Sequence, residues 1–277
     1  MPEDRDKPIV VGAVIYDPKV TIIWGIIRDF FERQRRPIEV VFYSDYGLQV
    51  DGLVKRHLEV AWNSPLAWLD AQRRTGGSCR AVAMRDTDRD RRTHLVVRRS
   101  SGIRSPADLK GGTVALGAKD SPQATLIPAE MLRASGLDPA RDVTVRRFDV
   151  LVGLHGDHVG GELDAFKCLE RGEAQASAML DLNWDRWSND GTINAAEFQV
   201  LASTESFDHC NFTVHGDFPA ERERSFLQAL FAMSYGDPRH REMMDMEGLK
   251  AWMPGRTTGY AWLSRAVESQ RFWGPQA

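Results

Sequence analysis

The chain has 277 residues, 42% of them apolar and 27% charged, with a net charge of -3. That length suits two lobes of one α/β protein, and the near balance of charge gives no basis for nucleic acid or an anionic membrane as a partner. No stretch is long and apolar enough to span a bilayer, so membrane insertion is not expected, and the widely spaced Cys79, Cys168 and Cys210 do not form a disulfide framework.

The opening "MPEDRDKPIVVGAVIYDP" has no basic n-region, long apolar h-region or small-residue cleavage site. As written, this start predicts a cytoplasmic protein; a leader already removed would make it periplasmic or extracellular. "PIVVGAVIY" is a β-branched run and predicts a buried strand, broken by Asp17-Pro18-Lys19. Apolar residues at 20, 23, 24, 27, 30 and 31 then follow helical spacing, and the basic tail suits a helix C-terminus. "IEVVFY" predicts a second strand, "YGLQVDGLVKRHL" a helix and "EVAWN" a third strand. "PLAWLDAQRR" predicts a helix stopping at Gly76-Gly77, "CRAVAM" a fourth strand and "THLVVRR" a fifth. This β-α alternation is the signature of a mainly parallel sheet covered by helices.

After residue 100 the pattern restarts. "GGTVALG" predicts a strand, and "PQATLIPAEMLRASG" a helix ending at Gly136. "VTVRRFD", "GGELDAFKCLERGE" and "ASAML" predict strand, helix, strand. "FQVLAST" and "NFTVHG" read as strands, and the remainder as helices with loops. Extended segments near 98–104 and 198–206 join the parts. Two lobes with a double-stranded hinge are therefore expected: lobe I from 1–98 plus 204–277, and lobe II from 99–203. Such lobes enclose a cleft that closes by hinge motion.

Several stretches carry a family resemblance: "YGLQVDGLVKRHLEVAWNSPLAWLDA", "VVRRSSGIRSPADLKGGTVALG", the helix opened by "SPQAT", "GDHVGGELDAFKCLERGEAQASAM" and the Gly-Tyr pair at 259–260. In this order and spacing the chain resembles the phosphonate/phosphite-binding components of ABC importers, within the type II periplasmic-binding-protein fold, over about residues 8–265. The resemblance implies a small anionic ligand, an ABC permease as partner, and no cofactor. A monomer or homodimer would serve.

Site residues follow partly from the residues and partly from the resemblance. A helix N-terminus offers unpaired N–H groups and the positive end of the dipole, which suit an anion. Ser121 can cap such an end, and Pro122 fits its first position. The resembled family reads Ser-Thr-Ser-Gly there, its hydroxyls and amides holding the anion. This chain reads Ser121-Pro122-Gln123-Ala124 with Thr125 next, so two hydroxyls and one amide donor are missing. An ordinary capped helix is the bland reading.

Tyr46 matches a family tyrosine that touches ligand, and a boundary aromatic packed on the core is the other reading. Asn63, after Trp62, and Tyr16 with Asp17 sit at predicted carboxyl ends of strands, where open α/β sheets bind ligands. "MRDTDRDRRTH" reads first as a solvated, self-paired surface loop. Alternatively Arg85 or Arg91 turns into the cleft, and the resemblance places a ligand-contacting tyrosine near Arg91; a guanidinium would bind an oxyanion bidentately. Asp181, at the end of "ASAML", matches a polar contact of the family. His158 matches a ligand-contacting histidine.

His155 with His158, three apart, and Cys210 are candidate metal ligands, too few to define a site. His209 and Cys210 are neighbours in an extended segment, where side chains point to opposite faces. Cys210 could instead meet His158 as a thiolate nucleophile. A small buried thiol is the bland alternative. Two functions are weighed. One is a solute-binding protein closing on a phosphonate-, phosphate-, sulfonate- or carboxylate-type ligand. The other is a cytoplasmic lyase or metal-dependent enzyme on the same fold, using His158 with His209 or Cys210 on a small acidic metabolite.

Overall fold

Each β-branched run and the amphipathic stretch after it fold as the period rules require, and the result is two α/β units with a sheet apiece. The computed structural model describes residues 7–156 and 160–274. In chain order the first unit holds β1 (Ile9–Val14), α1 (Lys19–Arg33), β2 (Ile38–Tyr43), α2 (Tyr46–Val54), β3 (Val60–Asn63), α3 (Pro65–Arg74) and β4 (Arg80–Arg85). The second holds β5 (Thr93–Arg98), β6 (Thr113–Leu116), α4 (Ile127–Ala134), β7 (Thr144–Arg147), α5 (Glu162–Glu170), β8 (Ala176–Leu180), α6 (Asp181–Asn189) and β9 (Phe198–Ser203). The chain then returns to the first unit for β10 (Asn211–Val214), α7 (Ala220–Phe231), α8 (Pro238–Glu247) and β11 (Trp252–Pro254), and α9 (Ala261–Ser269) belongs to the second.

In the first unit the sheet order is β11-β4-β10-β3-β1-β2. β1 runs parallel to β2 and β3, but β10 inserts antiparallel between β3 and β4, and β11 closes the edge antiparallel to β4. The sheet is mixed rather than mainly parallel, because two strands arrive from the far end of the sequence. The α1 stripe Val20, Ile23, Trp24, Ile27, Phe30 and Phe31 is buried, matching the spacing in the sequence. Each such side chain contributes about 1.5–3 kcal/mol on burial. Trp62 belongs to the core, with its ring centroid 4.7 Å from Phe212 and 5.7 Å from Trp252.

In the second unit the order is β7-β6-β8-β5-β9. β6 is parallel to β7 and β8, while β5 is antiparallel to both β8 and β9. "THLVVRR" is therefore a strand of the second unit, not the fifth strand of the first. The units divide at 89/90, 207/208 and 258/259, where the sequence reading put 98/99 and 203/204. Residues 259 onward also leave lobe I: Trp262 packs on the core of the second unit, Ser269 donates to Glu130 at 2.5 Å, and Gln270 Nε2 donates to Leu126 O at 2.8 Å. Hydropathy periodicity marks an apolar helix face without saying which sheet it covers.

Candidate functional site

In the first unit, β1, β2 and β3 are parallel, so their carboxyl ends share one edge. α2 and α3 begin at that edge, capped by Asp45, which accepts from Leu48 N at 2.9 Å, and Ser64, which accepts from Ala67 N at 3.1 Å. Helix N-termini bring unpaired N–H groups and positive dipole ends to the strand ends. Tyr46, the first residue of α2, is buried; Tyr16 is half-buried against the core.

Asn63 is fully buried, and its side chain is a link in a polar chain. Gln49 Nε2 donates to Asn63 Oδ1 at 2.9 Å and to Trp62 O at 2.8 Å. Asn63 Nδ2 donates to Thr213 Oγ1 at 2.9 Å, and Thr213 donates to Asn211 Oδ1 at 2.7 Å. Gln49 Oε1 is buried and accepts no hydrogen bond among the described residues. Buried acceptors are rarely left so, and a ligand donor or a water would satisfy it. Sequence reasoning missed Gln49. The signal was a glutamine on the inward stripe Tyr46, Gln49, Val50, Leu53 of α2, where an apolar residue is the default.

In the second unit the strand end at Leu116 leads into the Ser121 turn. Residues 122–126 form a wide turn with Leu126 N bonded to Ser121 O at 3.0 Å, and α4 starts only at Ile127. Pro128 explains the widening. An ordinary helix would pair the carbonyl of Ala124 with the N–H of residue 128, which proline lacks. Ala124 O accepts from Gly117 N instead, at 3.1 Å.

Ser121, Gln123 and Thr125 are all buried, and each side chain has an internal partner. Ser121 Oγ accepts from Ala124 N at 3.2 Å, Thr125 Oγ1 donates to Gly117 O at 3.0 Å, and Gln123 Nε2 donates to Gly156 O at 2.6 Å. Gly156, at φ 65, lies against Ser121 so closely that a Cβ there would sit 2.3 Å from Oγ. The Ser121 turn thus has the cap the sequence predicts, and the adjoining segment covers it. Gln123 Oε1 is buried and accepts no hydrogen bond among the described residues.

Arg91 and Asp181 come together, Nη1 to Oδ2 at 3.5 Å. Asp181 opens a helix, α6, that the sequence did not announce. At the next strand end the fully buried Glu162 accepts from Leu180 N at 2.8 Å and Asn183 Nδ2 at 2.9 Å, which ties α5 to the start of α6. His155 is half-buried at φ 52. His158 and its neighbour Asp157 lie outside the described residues, so the pairings of His158 with His155 and with Cys210 do too.

The arginine–aspartate stretch is self-paired, as expected, but its centre is buried rather than solvated. Arg85 Nε and Nη2 donate to the two oxygens of Asp88 at 2.7 and 2.8 Å, and Nη1 donates to Glu247 at 2.8 Å. Burial alone would raise the Asp88 carboxyl; the charge and hydrogen bonds of Arg85, with His209, outweigh it and hold the group at about 2.

His209 and Cys210 correct the sequence reading. Their side chains meet, Nδ1 to Sγ at 3.1 Å, because residues 208–210 are not regular strand and two-residue alternation does not apply. Asp88, His209 and Cys210 offer ligand atoms within 4.8 Å of one another. The set fits a metal poorly, since both Asp88 oxygens already receive the Arg85 cation. It also fits a nucleophile–base relay poorly. The same His209 nitrogen faces the thiol and, at 3.5 Å, the carboxylate, whereas a relay needs one nitrogen for each. His155, the other candidate metal ligand, belongs to the second unit and Cys210 to the first.

Two mixed sheets flanked by helices, with helix N-termini and buried polar side chains at the strand ends, make up the fold of the periplasmic binding proteins. The chain belongs to the family described as ABC transporter, phosphonate, periplasmic substrate-binding protein, whose model matches residues 16–260.

Solved structures share the fold. PhnD1 from Prochlorococcus marinus in complex with methylphosphonate has a TM-score of 0.72 at 16% identity, covering 96% of this chain and 99% of that one. A Xanthomonas citri protein bound to ATP gives 0.72 at 19% identity over the same shares. The aliphatic sulphonate binding protein SsuA from Escherichia coli gives 0.59 at 15%, covering 96% of this chain and 88% of that one. An uncharacterized protein from Haemophilus influenzae is 46% identical over 46 residues, 16% of this chain; the match spans 65% of that relative's length.

Proposed function

We propose that this chain is the substrate-binding component of an ABC importer and takes a small organic oxyanion of the phosphonate class. The family match over 16–260 carries the reading. One feature supports it: the N-termini of α2 and α3, with their unpaired N–H groups, gathered at the strand ends of the first unit. In the first unit the ligand contacts proposed are Tyr16, Tyr46 and Asn63; in the second, the turn at Ser121 is a candidate by itself. Arg91 and Asp181 act as a pair. The hydroxyls of Ser121 and Thr125 and the main-chain N–H groups of Ala124, Thr125 and Leu126 are occupied within the turn.

Pro122 and Ala124 replace donors of the resembled family, which favours a ligand with fewer hydrogen-bond acceptors than a bare phosphate; alkylphosphonates such as the methylphosphonate of PhnD1 meet that condition. The reading makes an ABC permease the partner, puts the working protein in the periplasm of the family's description, and is complete with a monomer. Among the described residues no helix is long and apolar enough to cross a membrane.

Thermal denaturation and calorimetry with methylphosphonate, phosphite, an alkylsulfonate and a dicarboxylate test the proposal. A ligand at 100 times its Kd stabilises by about 2.7 kcal/mol, a rise in Tm of about 5 °C. Saturable stabilisation by a phosphonate is expected. Failure of every phosphorus and sulfur oxyanion to bind would remove it.

A further inference from the structure

Beyond the importer reading, we infer that the outer edge of β2 docks a second copy of this chain, the two β2 strands pairing antiparallel about a two-fold axis at Val40. β2 is the outermost strand of the first sheet and pairs with β1 alone among the described residues, through all six residues from Ile38 to Tyr43 with no shift in register. The direction of its backbone groups is fixed at both ends: Ile9 N donates to Pro37 O at 3.1 Å, and Ile15 N to Tyr43 O at 2.9 Å. In a parallel ladder, alternate residues of a strand turn both N–H and C=O to the neighbour. Residues 37, 39, 41 and 43 therefore face β1, and the N–H and C=O groups of Ile38, Val40 and Phe42 face outward. Pro37 falls on the inward set, so its missing N–H takes nothing from the outer edge.

A row of outward N–H and C=O groups recruits a further strand unless the edge is blunted by shortness, proline, charge or a bulge. The other edges of the two sheets are blunted. β11 has three residues and ends in Pro254, β7 has four and carries Arg146 and Arg147, and β9 has an extra residue, Leu201, against β5. β2 has none of these devices on its outward residues, which are Ile38, Val40 and Phe42. Val41 and Phe42 point to opposite faces of the pleat and are 38% and 39% exposed, so the margin of the strand is uncovered on both sides.

Register and charge select a second copy as the occupant. Antiparallel strands oppose outward residues to outward residues, so a two-fold at Val40 sets Val40 against Val40, Ile38 against Phe42, and Glu39 against Val41. No like charges meet, and β-branched and aromatic side chains face each other across the ladder. The strand is preceded by Arg35 and Arg36 and followed by Ser44 and Asp45. The same register brings the basic end of each copy to the acidic end of the other, Arg35 beside Asp45, and the symmetry makes that contact twice. Six residues a side is a small interface, so the dimer is weak and depends on concentration.

Sedimentation velocity on the full chain, from about 1 µM to about 500 µM, tests this. The mass is expected to rise with concentration from the 31.2 kDa of one chain toward twice that. Val40→Pro replaces an outward N–H, which an edge strand tolerates, and should keep the native circular dichroism. It removes two symmetry-related hydrogen bonds and should weaken the dimer by about tenfold or more. Phe42→Lys changes an exposed side chain, sets a charge against Ile38 of the other copy, and should weaken the dimer as much; if Val40→Pro fails to fold, Phe42→Lys decides alone. A chain that stays monomeric over the whole range overturns the proposal and would leave the edge to a strand of another protein. A dimer that the folded variants leave unchanged overturns it too, because its interface then lies elsewhere.

Discussion

Replacing Asp88 by asparagine keeps the shape of the side chain and removes its charge. The consequence can be worked out bond by bond. Oδ2 accepts from Arg85 Nε at 2.7 Å and Arg85 N at 3.1 Å; Oδ1 accepts from Arg85 Nη2 at 2.8 Å and Cys210 N at 3.2 Å. Either orientation of the new amide turns an NH2 toward N–H donors. The guanidinium, with its side chain only 17% exposed, keeps one amide oxygen and the single carboxylate of Glu247. Removing one partner of a buried pair costs about 3–5 kcal/mol. At about 2 °C per kcal/mol for a chain of this size, Tm should fall by about 6–10 °C.

Urea unfolding followed by tryptophan fluorescence reads the loss directly. A loss below about 1 kcal/mol would refute the reasoning, because that is what an exposed pair is worth. The same pair predicts a pH dependence. The folded-state value of about 2 lies below the ordinary 3.8. The carboxylate therefore contributes stability above pH 4, and that contribution, about 2 kcal/mol, is lost as pH falls toward 2. Asp88→Asn should flatten this part of the profile.

Gly161 opens α5 at φ 82, and a Cβ there would lie 2.1 Å from Phe148 O. Gly161→Ala should cost about 2–4 kcal/mol by strain and displaced backbone, read in the same unfolding assay; a loss under about 1 kcal/mol would show that the turn relaxes freely. Ser121→Ala removes a cap worth about 1 kcal/mol, and its effect on methylphosphonate affinity should stay within about threefold, since the hydroxyl is engaged internally; a hundredfold loss would make Ser121 a direct contact. Cys79, Cys168 and Cys210 are buried thiols that form no disulfide among the described residues, and burial raises the thiols of Cys79 and Cys168. An aromatic disulfide reagent should find no fast-reacting thiol in the native protein and three after denaturation. A single fast thiol assigned to Cys210 would reopen a reactive role for it.

The local signals were all in the chain. The α1 stripe, the Ser64-Pro65 and Ser121-Pro122 starts, the Gly136 stop and the β-branched runs each depend on neighbours a few residues away, and each appears where the periodicity puts it. The family resemblance was legible for the same reason, as a series of such local patterns in order. Three-dimensional pairing is another matter. Whether an Arg–Asp stretch lies in water or in the core depends on Glu247 and Cys210, more than a hundred residues away. That β10 enters the first sheet antiparallel, that α9 covers the second unit, and that Gln49, Asn63 and Thr213 form one polar chain were decided only by long-range packing. A single residue pattern can report which face of an element is apolar; the partner on that face is chosen by the whole chain competing for burial, and that choice exists only in the folded protein.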